Sequence, residues 1–278
     1  MSKLIVALIA LAAVIVGAGT TAMGLFSVGH AKQETPTLYM TPADLFQNRK
    51  LRELAEAARH GDVGKIDALV AQDVSVNGHG EYGIGPLFSA VQAGNKKGFD
   101  ALLDRGADPN NIWANDHTLL NVIACCTHDP YFMEQALKHG ANPNLEEPKT
   151  GMTPIMAAVT VSGKVNIPLL IKAGADLNHQ IPPGKGSPLF PISGETAMMG
   201  ATGDMFDVVY ELLEAGADYS LQDARGWTLA NYVKYTFRAT VSPEQAHWRD
   251  KVIEFLKKHN AWSDRSESSM PLTKNDAQ

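Results

Sequence analysis

The sequence predicts an all-α protein built as a helical repeat solenoid behind an apolar N-terminal segment. Three observations lead to this fold class: a glycine-centred motif returns four times, leucine pairs precede three of its copies, and the first thirty residues are far more apolar than the rest. The motif begins at Gly106, Gly140, Gly174 and Gly216. The first three of these glycines follow one another at 34 residues and the fourth comes 42 residues later. A period of this length is typical of stacked helical repeats.

The N-terminal segment has one basic residue followed by an apolar run. Lys3 precedes the run 4–16, and no charged residue occurs between positions 4 and 28. Such a run is either the core of a signal peptide or, at 25 residues, an uncleaved membrane anchor. We therefore assign residues 1–31 to a signal peptide or transmembrane helix, with the repeats outside the cytoplasm. Residues 32–50 contain polar residues and prolines and are predicted to be a linker.

Each repeat has the pattern of two helices and a turn. The pairs Leu102-Leu103, Leu169-Leu170 and Leu212-Leu213 precede their glycines by three to five residues, which predicts a buried helix face. The glycine that follows ends the helix, because it readily adopts positive φ. A further helix is predicted to begin near Gly85, Thr118 and Thr153.

These motifs resemble the ankyrin family, whose repeat of about 33 residues opens on Thr-Pro-Leu-His and closes on Gly-Ala-Asp-x-Asn. Here Thr153-Pro154 and Gly106-Ala107-Asp108 match that pattern, whereas Met156 stands where the family has histidine. The resemblance covers residues 51–262 and implies about six helix-turn-helix units, followed by a polar tail over 263–278. The predicted units are residues 51–77, 85–110, 118–144, 153–178, 195–220 and 227–262.

Composition excludes some classes of function. A net charge of −6 disfavours nucleic acid as the main partner, since phosphate binding needs a basic surface. The nine histidines include no His-x-x-x-His pair, and there is no glycine-rich phosphate loop and no Gly-x-Ser-x-Gly elbow. We therefore expect no catalysis, no metal and no cofactor.

The two cysteines, Cys125 and Cys126, are adjacent and lie near the end of a predicted helix. Three interpretations stay open. The favoured one is that both are small buried apolar residues; the others are a disulfide between neighbours and a metal site that includes His128. A metal site would need a further ligand from elsewhere in the chain.

The predicted binding residues lie in the turns between repeats, which we call fingers. The finger from His179 to Gly194 is about ten residues longer than the others and carries four prolines. Apolar side chains on a solvent-facing loop suggest a contact surface, although the same side chains could instead fold back over the neighbouring repeats. The residues predicted to bind a partner are Tyr82, Trp113, Ile181, Lys185, Leu189 and Phe190.

The ankyrin resemblance implies protein–protein recognition, an analogy from fold rather than from a site. With an export segment, it favours a protein of the bacterial envelope, in the periplasm or tethered to the inner membrane. The most concrete expectation is an immunity protein that neutralises a toxic effector such as a secreted phospholipase. The alternatives are a periplasmic accessory protein linked to oxidative-stress defence and an envelope scaffold.

Overall fold

A computed structural model describes residues 41–113, 116–159, 163–236 and 241–263. Within these ranges the regular secondary structure is helical and contains no β-strand, as an all-α repeat protein requires. The described residues fall into two compact units, one up to residue 113 and the other from residue 116.

The first unit contains five α-helices and one 3-10 turn among its described residues. These are α1 (Pro42–Leu45), α2 (Arg49–His60), α3 (Val63–Val70), the 3-10 turn Glu81–Gly83, α4 (Pro86–Gln92) and α5 (Lys96–Leu103). Helices α2 and α4, the first helices of neighbouring repeats, pack against each other. The second helices α3 and α5 also meet.

The second unit continues the same alternation through four further repeats. Its helices are α6 (Leu119–Cys126), α7 (Tyr131–Lys138), α8 (Pro154–Ala158), the 3-10 turn Gly163–Asn166, α9 (Ile167–Lys172), α10 (Ala197–Ala201), α11 (Phe206–Glu214), α12 (Leu229–Thr236) and α13 (Pro243–Lys258). First helices again pack on one another, α6 against α8, and the second helices α11 and α13 do the same. The six predicted units are thus six helix pairs, from α2/α3 to α12/α13.

The predicted helix boundaries are confirmed at the points that the repeat motif marks. Helices α4, α6 and α8 begin directly after Gly85, Thr118 and Thr153. The four motif glycines all have positive φ, between 82° and 94°, which a residue with a side chain rarely adopts. The turn after these four second helices therefore depends on glycine, whereas Asp73 and Asn260 take the positive-φ position after α3 and α13.

The leucine pairs form part of the core, with one exception. Leu102, Leu103, Leu170, Leu212 and Leu213 are buried, as predicted. Leu169 is only half-buried, so the expectation that both members of its pair are buried is wrong. Helix α9 is only six residues long, and residue 169 lies on the part of its surface that the neighbouring helices leave partly open.

The helical domain begins earlier in the chain than residue 51. Residues 42–50, which the sequence suggested as part of a linker, contain α1 and the start of α2. Leu45 and Phe46 have no solvent-exposed surface, so this segment contributes to the core of the first unit. The predicted signal or anchor segment 1–31 and nearly all of the tail 263–278 lie outside the described residues. No helix in the described part of the chain is long and apolar enough to cross a membrane.

The cysteines differ from the favoured expectation. Cys125 and Cys126 are joined by a disulfide at the end of α6 and are half-buried rather than enclosed in the core. The disulfide was one of the interpretations that the sequence left open. Its sulfurs lie where α6 leaves the core, since residues 119–124 of the helix are all buried.

Candidate functional site

The long finger, residues 179–194, is an ordered loop. At its base the amide of Ile181 donates to the carbonyl of Glu195 (3.0 Å), and the amide of Gly194 donates to the carbonyl of Ile181 (2.7 Å). At its tip Ser187 and Phe190 exchange backbone hydrogen bonds of 3.0 and 3.1 Å. Two backbone pairings and four prolines leave this loop little freedom to rearrange.

Two of the apolar residues predicted to face solvent do not. Ile181 and Phe190 are each 1% exposed, so their assignment to a solvent-facing contact surface is wrong. The ring of Phe190 lies over Gly200 in α10, where a Cβ atom would come within 2.4 Å of the ring. Because Gly200 has no side chain, there is room above it for the ring of Phe190. Burying an aromatic ring there is more favourable than exposing it to water.

Lys185 and Leu189 remain at the surface of the finger. Lys185 forms an ion pair with Glu146 in the preceding finger, and both side chains are about one-third exposed. Leu189 is 36% exposed and has apolar surface available for contact. Of the four residues predicted in the long finger, these two are thus placed where a partner could reach them.

The long finger is tied to the fingers on either side of it. His179 Nε2 bonds to the carbonyl of Gly151 at 2.9 Å, in the finger before. In the finger after, the amide of Ala224 donates to the carbonyl of Ser193, and Gln180 Nε2 donates to the carbonyl of Gln222, both at 2.8 Å. We call the three loops 144–152, 179–195 and 221–227 the finger row. Side chains and backbone together hold it as one surface of the second unit.

A buried polar network lies beneath the finger row. The hydroxyl of Tyr232 lies 2.7 Å from Glu195 Oε1 and 2.8 Å from Asp223 Oδ2. Arg225 Nη2 donates to the same hydroxyl at 2.8 Å and to Asp223 Oδ2 at 2.7 Å. Burial raises the pKa of Glu195, against the lowering effect of its hydrogen bonds. The network joins the end of the long finger to α12.

Three side chains border this network: Arg225, Trp227 and Tyr235. We call them the aromatic edge. The guanidinium of Arg225 lies 4.1 Å from the ring centroid of Trp227, at cation–π distance. The ring of Tyr235 lies 5.7 Å from that of Trp227. Tyr235 is 58% exposed, more than any other large apolar side chain in the described residues. Sequence reasoning missed Tyr235, which lies one turn after Tyr232 on α12 and contacts the same Trp227 ring.

The two remaining predicted residues lie in the first unit. Tyr82 is half-buried in the 3-10 turn and has a φ of +62°. Trp113 is only 5% exposed, and its ring packs edge-on against Phe88 with 5.0 Å between centroids. The prediction of an accessible Trp113 is therefore wrong, because its ring is used in packing.

A histidine and a carboxylate meet at the finger 144–152. Within the described ranges no set of three or more His, Cys, Asp or Glu residues is placed to hold a metal ion. The nearest approach to a reactive pair is His117 with Glu147, at 2.9 Å. Thr150 also donates to Glu147, at 2.7 Å, and the carboxylate is 3% exposed. These bonds hold the finger 144–152 in place.

The chain is similar to several known proteins over part of its length. No family model matches it. Protein PhlB of Serratia liquefaciens is 32% identical over 146 residues, which are 52% of this chain and 62% of that protein. The human ankyrin repeat, SAM and basic leucine zipper domain-containing protein 1 is 32% identical over 114 residues, 39% of this chain and 23% of that protein. The repeats are ankyrin-like. The chain spans less than two thirds of the length of either relative.

A solved structure shares the fold of these ankyrin-like repeats. It is a complex of a predatory endopeptidase from Bdellovibrio bacteriovorus with an immunity protein. One of its chains has a TM-score of 0.54 and 24% identity to this chain, over 72% of this chain and 97% of that one. Identity at this level carries the fold alone.

Proposed function

We propose that this protein is a binding module of the bacterial envelope that works as an immunity protein, neutralising a toxic effector enzyme by covering it. The observation that carries the proposal is the finger row, a surface held by hydrogen bonds between loops, with Leu189 and Tyr235 exposed on or beside it. A surface that is ordered before binding loses little entropy when a partner docks. Aromatic and arginine side chains in such a position are the residues that most often dominate binding energy.

The comparisons support a protein partner. The structure with the similar fold is a complex in which an immunity protein binds an endopeptidase. For this chain we propose the same mode of action, a stoichiometric protein complex without cofactor, nucleic acid or catalytic step. The class of effector is part of the proposal, with a secreted phospholipase as its most concrete form.

The envelope location is a second part of the proposal. It rests on the apolar run in residues 4–28, which predicts export. The disulfide between Cys125 and Cys126 supports it, since disulfides persist in oxidising compartments such as the periplasm.

Binding through the finger row can be tested with matched variants. The double variant Leu189→Ala/Tyr235→Ala removes two exposed side chains. Val63→Ala on α3 is the control, since Val63 is 36% exposed, the same as Leu189. Proteins captured by the immobilised chain are identified, and the affinity of the purified partner is measured for each variant. We expect the double variant to bind at least tenfold more weakly, about 1.4 kcal/mol, and the control to bind as the wild type does. Equal affinities for all three would exclude the finger row as the binding surface.

The immunity role requires a separate experiment. Each gene beside that of this protein is expressed in the compartment where its product acts, with and without this protein. Growth that is lost with the neighbouring product alone and restored by the wild type supports immunity, and the double variant should restore it poorly. Absence of protection, together with sensitivity to peroxide when the gene is deleted, would favour the accessory role instead.

A further inference from the structure

The disulfide between Cys125 and Cys126 contributes little to the stability of the fold. A disulfide stabilises a protein mainly by closing a loop in the unfolded chain, and its effect grows with the length of that loop. These two residues are adjacent, so the bond closes a loop that contains no other residue. The bond therefore adds little stability by constraining the unfolded chain. Its position at the end of α6 suggests another role.

Hydrogen bonds that do not involve the disulfide hold the end of α6. The amide and the hydroxyl of Thr127 both donate to the carbonyl of Ile123, at 3.3 and 2.8 Å. Asn166 Nδ2 donates to the carbonyls of Ile123 and Ala124, at 3.1 and 3.2 Å, from a fully buried position. These bonds satisfy carbonyl groups that a helix end otherwise leaves open. The helix end can therefore stay in place whether the cysteines are oxidised or reduced.

The two cysteines are also the accessible part of the helix. Residues 119–124 of α6 are buried, whereas Cys125 and Cys126 are half-buried. Accessibility is one of the conditions for thiol–disulfide exchange, in which a thiolate must reach a sulfur atom. The pair thus combines a disulfide that adds little to stability, an anchored backbone and two cysteines that are only half-buried.

We propose that Cys125–Cys126 is a reversible redox-modification site, opened by a dithiol reductant to give two neighbouring thiols. One thiolate of the reductant attacks a cysteine sulfur, breaks the S–S bond and forms a mixed disulfide. The neighbouring cysteine leaves as a thiolate in that step. The second thiolate of the reductant then attacks the reductant's sulfur in the mixed disulfide and releases the cysteine that was attacked first. Two electrons and two protons pass to the cysteine pair, and the reductant leaves as a disulfide. The reduced pair offers two soft ligands side by side, which suit a thiophilic ion or reagent.

Reduction under native conditions tests the first half of the proposal. The full chain is treated with dithiothreitol, then with iodoacetamide, and its intact mass is measured. We expect no alkylation before reduction and two alkylations per chain after it, with the helical circular dichroism and the thermal midpoint retained. Removal of the reductant in air should restore the unalkylated disulfide. Alkylation only after denaturant is added, or loss of the fold on reduction, would overturn the proposal.

A trivalent arsenical tests the second half, because it binds two thiols at once with release of one water. Reduced wild type should bind one phenylarsine oxide per chain, and the oxidised wild type none. Cys125→Ser and Cys126→Ser should each lose this binding. The comparison of oxidised with reduced wild type needs no variant, so it stands even if a substitution impairs folding. Failure of the natively folded, reduced wild type to bind the arsenical would show that the two thiols are not presented together.

Discussion

The hydroxyl of Tyr232 contacts three ionisable groups and has one proton to give. It accepts a hydrogen bond from Arg225 and lies within 2.8 Å of oxygens of both Glu195 and Asp223. Asp223 Oδ1 also accepts hydrogen bonds from the backbone amides of Arg225 and Trp227, at 2.8 and 3.0 Å. Burial opposes ionisation of Asp223, but these hydrogen bonds outweigh it and lower its pKa. Every contact is satisfied if Tyr232 donates to ionised Asp223 and protonated Glu195 donates to Tyr232.

The first prediction concerns the proton on Glu195. Burial raises the pKa of Glu195 above 4.5, so between that value and the raised one the folded protein holds a proton that the unfolded chain has lost. The free energy of unfolding should therefore fall as pH rises through the folded-state pKa of Glu195. Glu195→Gln keeps a donor to Tyr232 and should remove that part of the decline. Urea unfolding at a series of pH values measures the difference between the two proteins.

The control for this prediction is Glu254→Gln on α13, which changes the charge in the same way at an exposed position. It should follow the wild-type pH dependence. The charged or titratable groups that contact Glu195 in the network are Asp223, Arg225 and Tyr232, and all three are retained in both variants. Parallel curves for wild type and Glu195→Gln would mean that folding does not raise the pKa of Glu195.

A second residue-scale feature is the asparagine that closes a repeat. Asn144 Nδ2 donates to the carbonyl of Gly174 at 3.1 Å, and its Oδ1 accepts from the amide of Asp176 at 2.6 Å. Asn77 makes the same two bonds in the first unit, to Gly106 and Asp108. The sequence did not predict these two bonds between repeats. The partner is some thirty residues away, so the link between repeats becomes visible only when the helices are stacked.

The second prediction follows from that link. Asn144→Ala removes both bonds to the next repeat and should lower the free energy of unfolding by roughly 1–2 kcal/mol, at about 1 kcal/mol per bond. Lys172→Ala, at an exposed position of α9, should change it by less than about 0.5 kcal/mol. Chemical denaturation of the three proteins gives the comparison. An unchanged midpoint for Asn144→Ala would show that water replaces the two bonds without loss.

At the scale of the element, the long finger shows how far the sequence could be interpreted. The period predicted an insertion of about ten residues, and the prolines predicted a stiff loop. The direction of Ile181 and Phe190 was not predictable from their positions, because apolar residues on a loop fit either a docking surface or a fold-back. The deciding signal is Gly200, ten residues after Phe190, whose missing side chain leaves room for the ring.

The third prediction separates the two roles inside the finger. Phe190 is buried, so Phe190→Ala should cost ~3–5 kcal/mol of stability, the usual range for losing a buried aromatic ring. Its neighbour Leu189 is 36% exposed, and Leu189→Ala should change stability by no more than about 0.5 kcal/mol while weakening partner binding. Thermal unfolding and binding are measured on the same preparations. Equal stabilities for the two variants would contradict the buried position of Phe190.

At the scale of the whole molecule, the repeated segments could be predicted from the sequence, whereas the segments that depart from the repeat could not. Six helix pairs could be predicted because the repeats bury similar positions and four of them end at a glycine of positive φ. The start of the domain was set too late, because α1 belongs to no repeat and has no period to reveal it. Leu45 and Phe46, both fully buried, were hidden in a segment whose average composition is polar.

The last prediction concerns the compartment of the protein. If the apolar run in residues 4–28 acts as an export segment, the repeats lie outside the cytoplasm. Lys3 should stay on the cytoplasmic side and everything after the run should cross the membrane. Alkaline phosphatase folds only where disulfides form, so fused after Gln278 it should be active. The same fusion lacking residues 1–31 should be inactive, although the repeats themselves should still fold. Thiol labelling of cells adds an independent reading, because the exported chain should hold Cys125 and Cys126 as a disulfide, whereas the truncated chain in the cytoplasm should have both thiols free. An active truncated fusion would mean that residues 1–31 do not direct export.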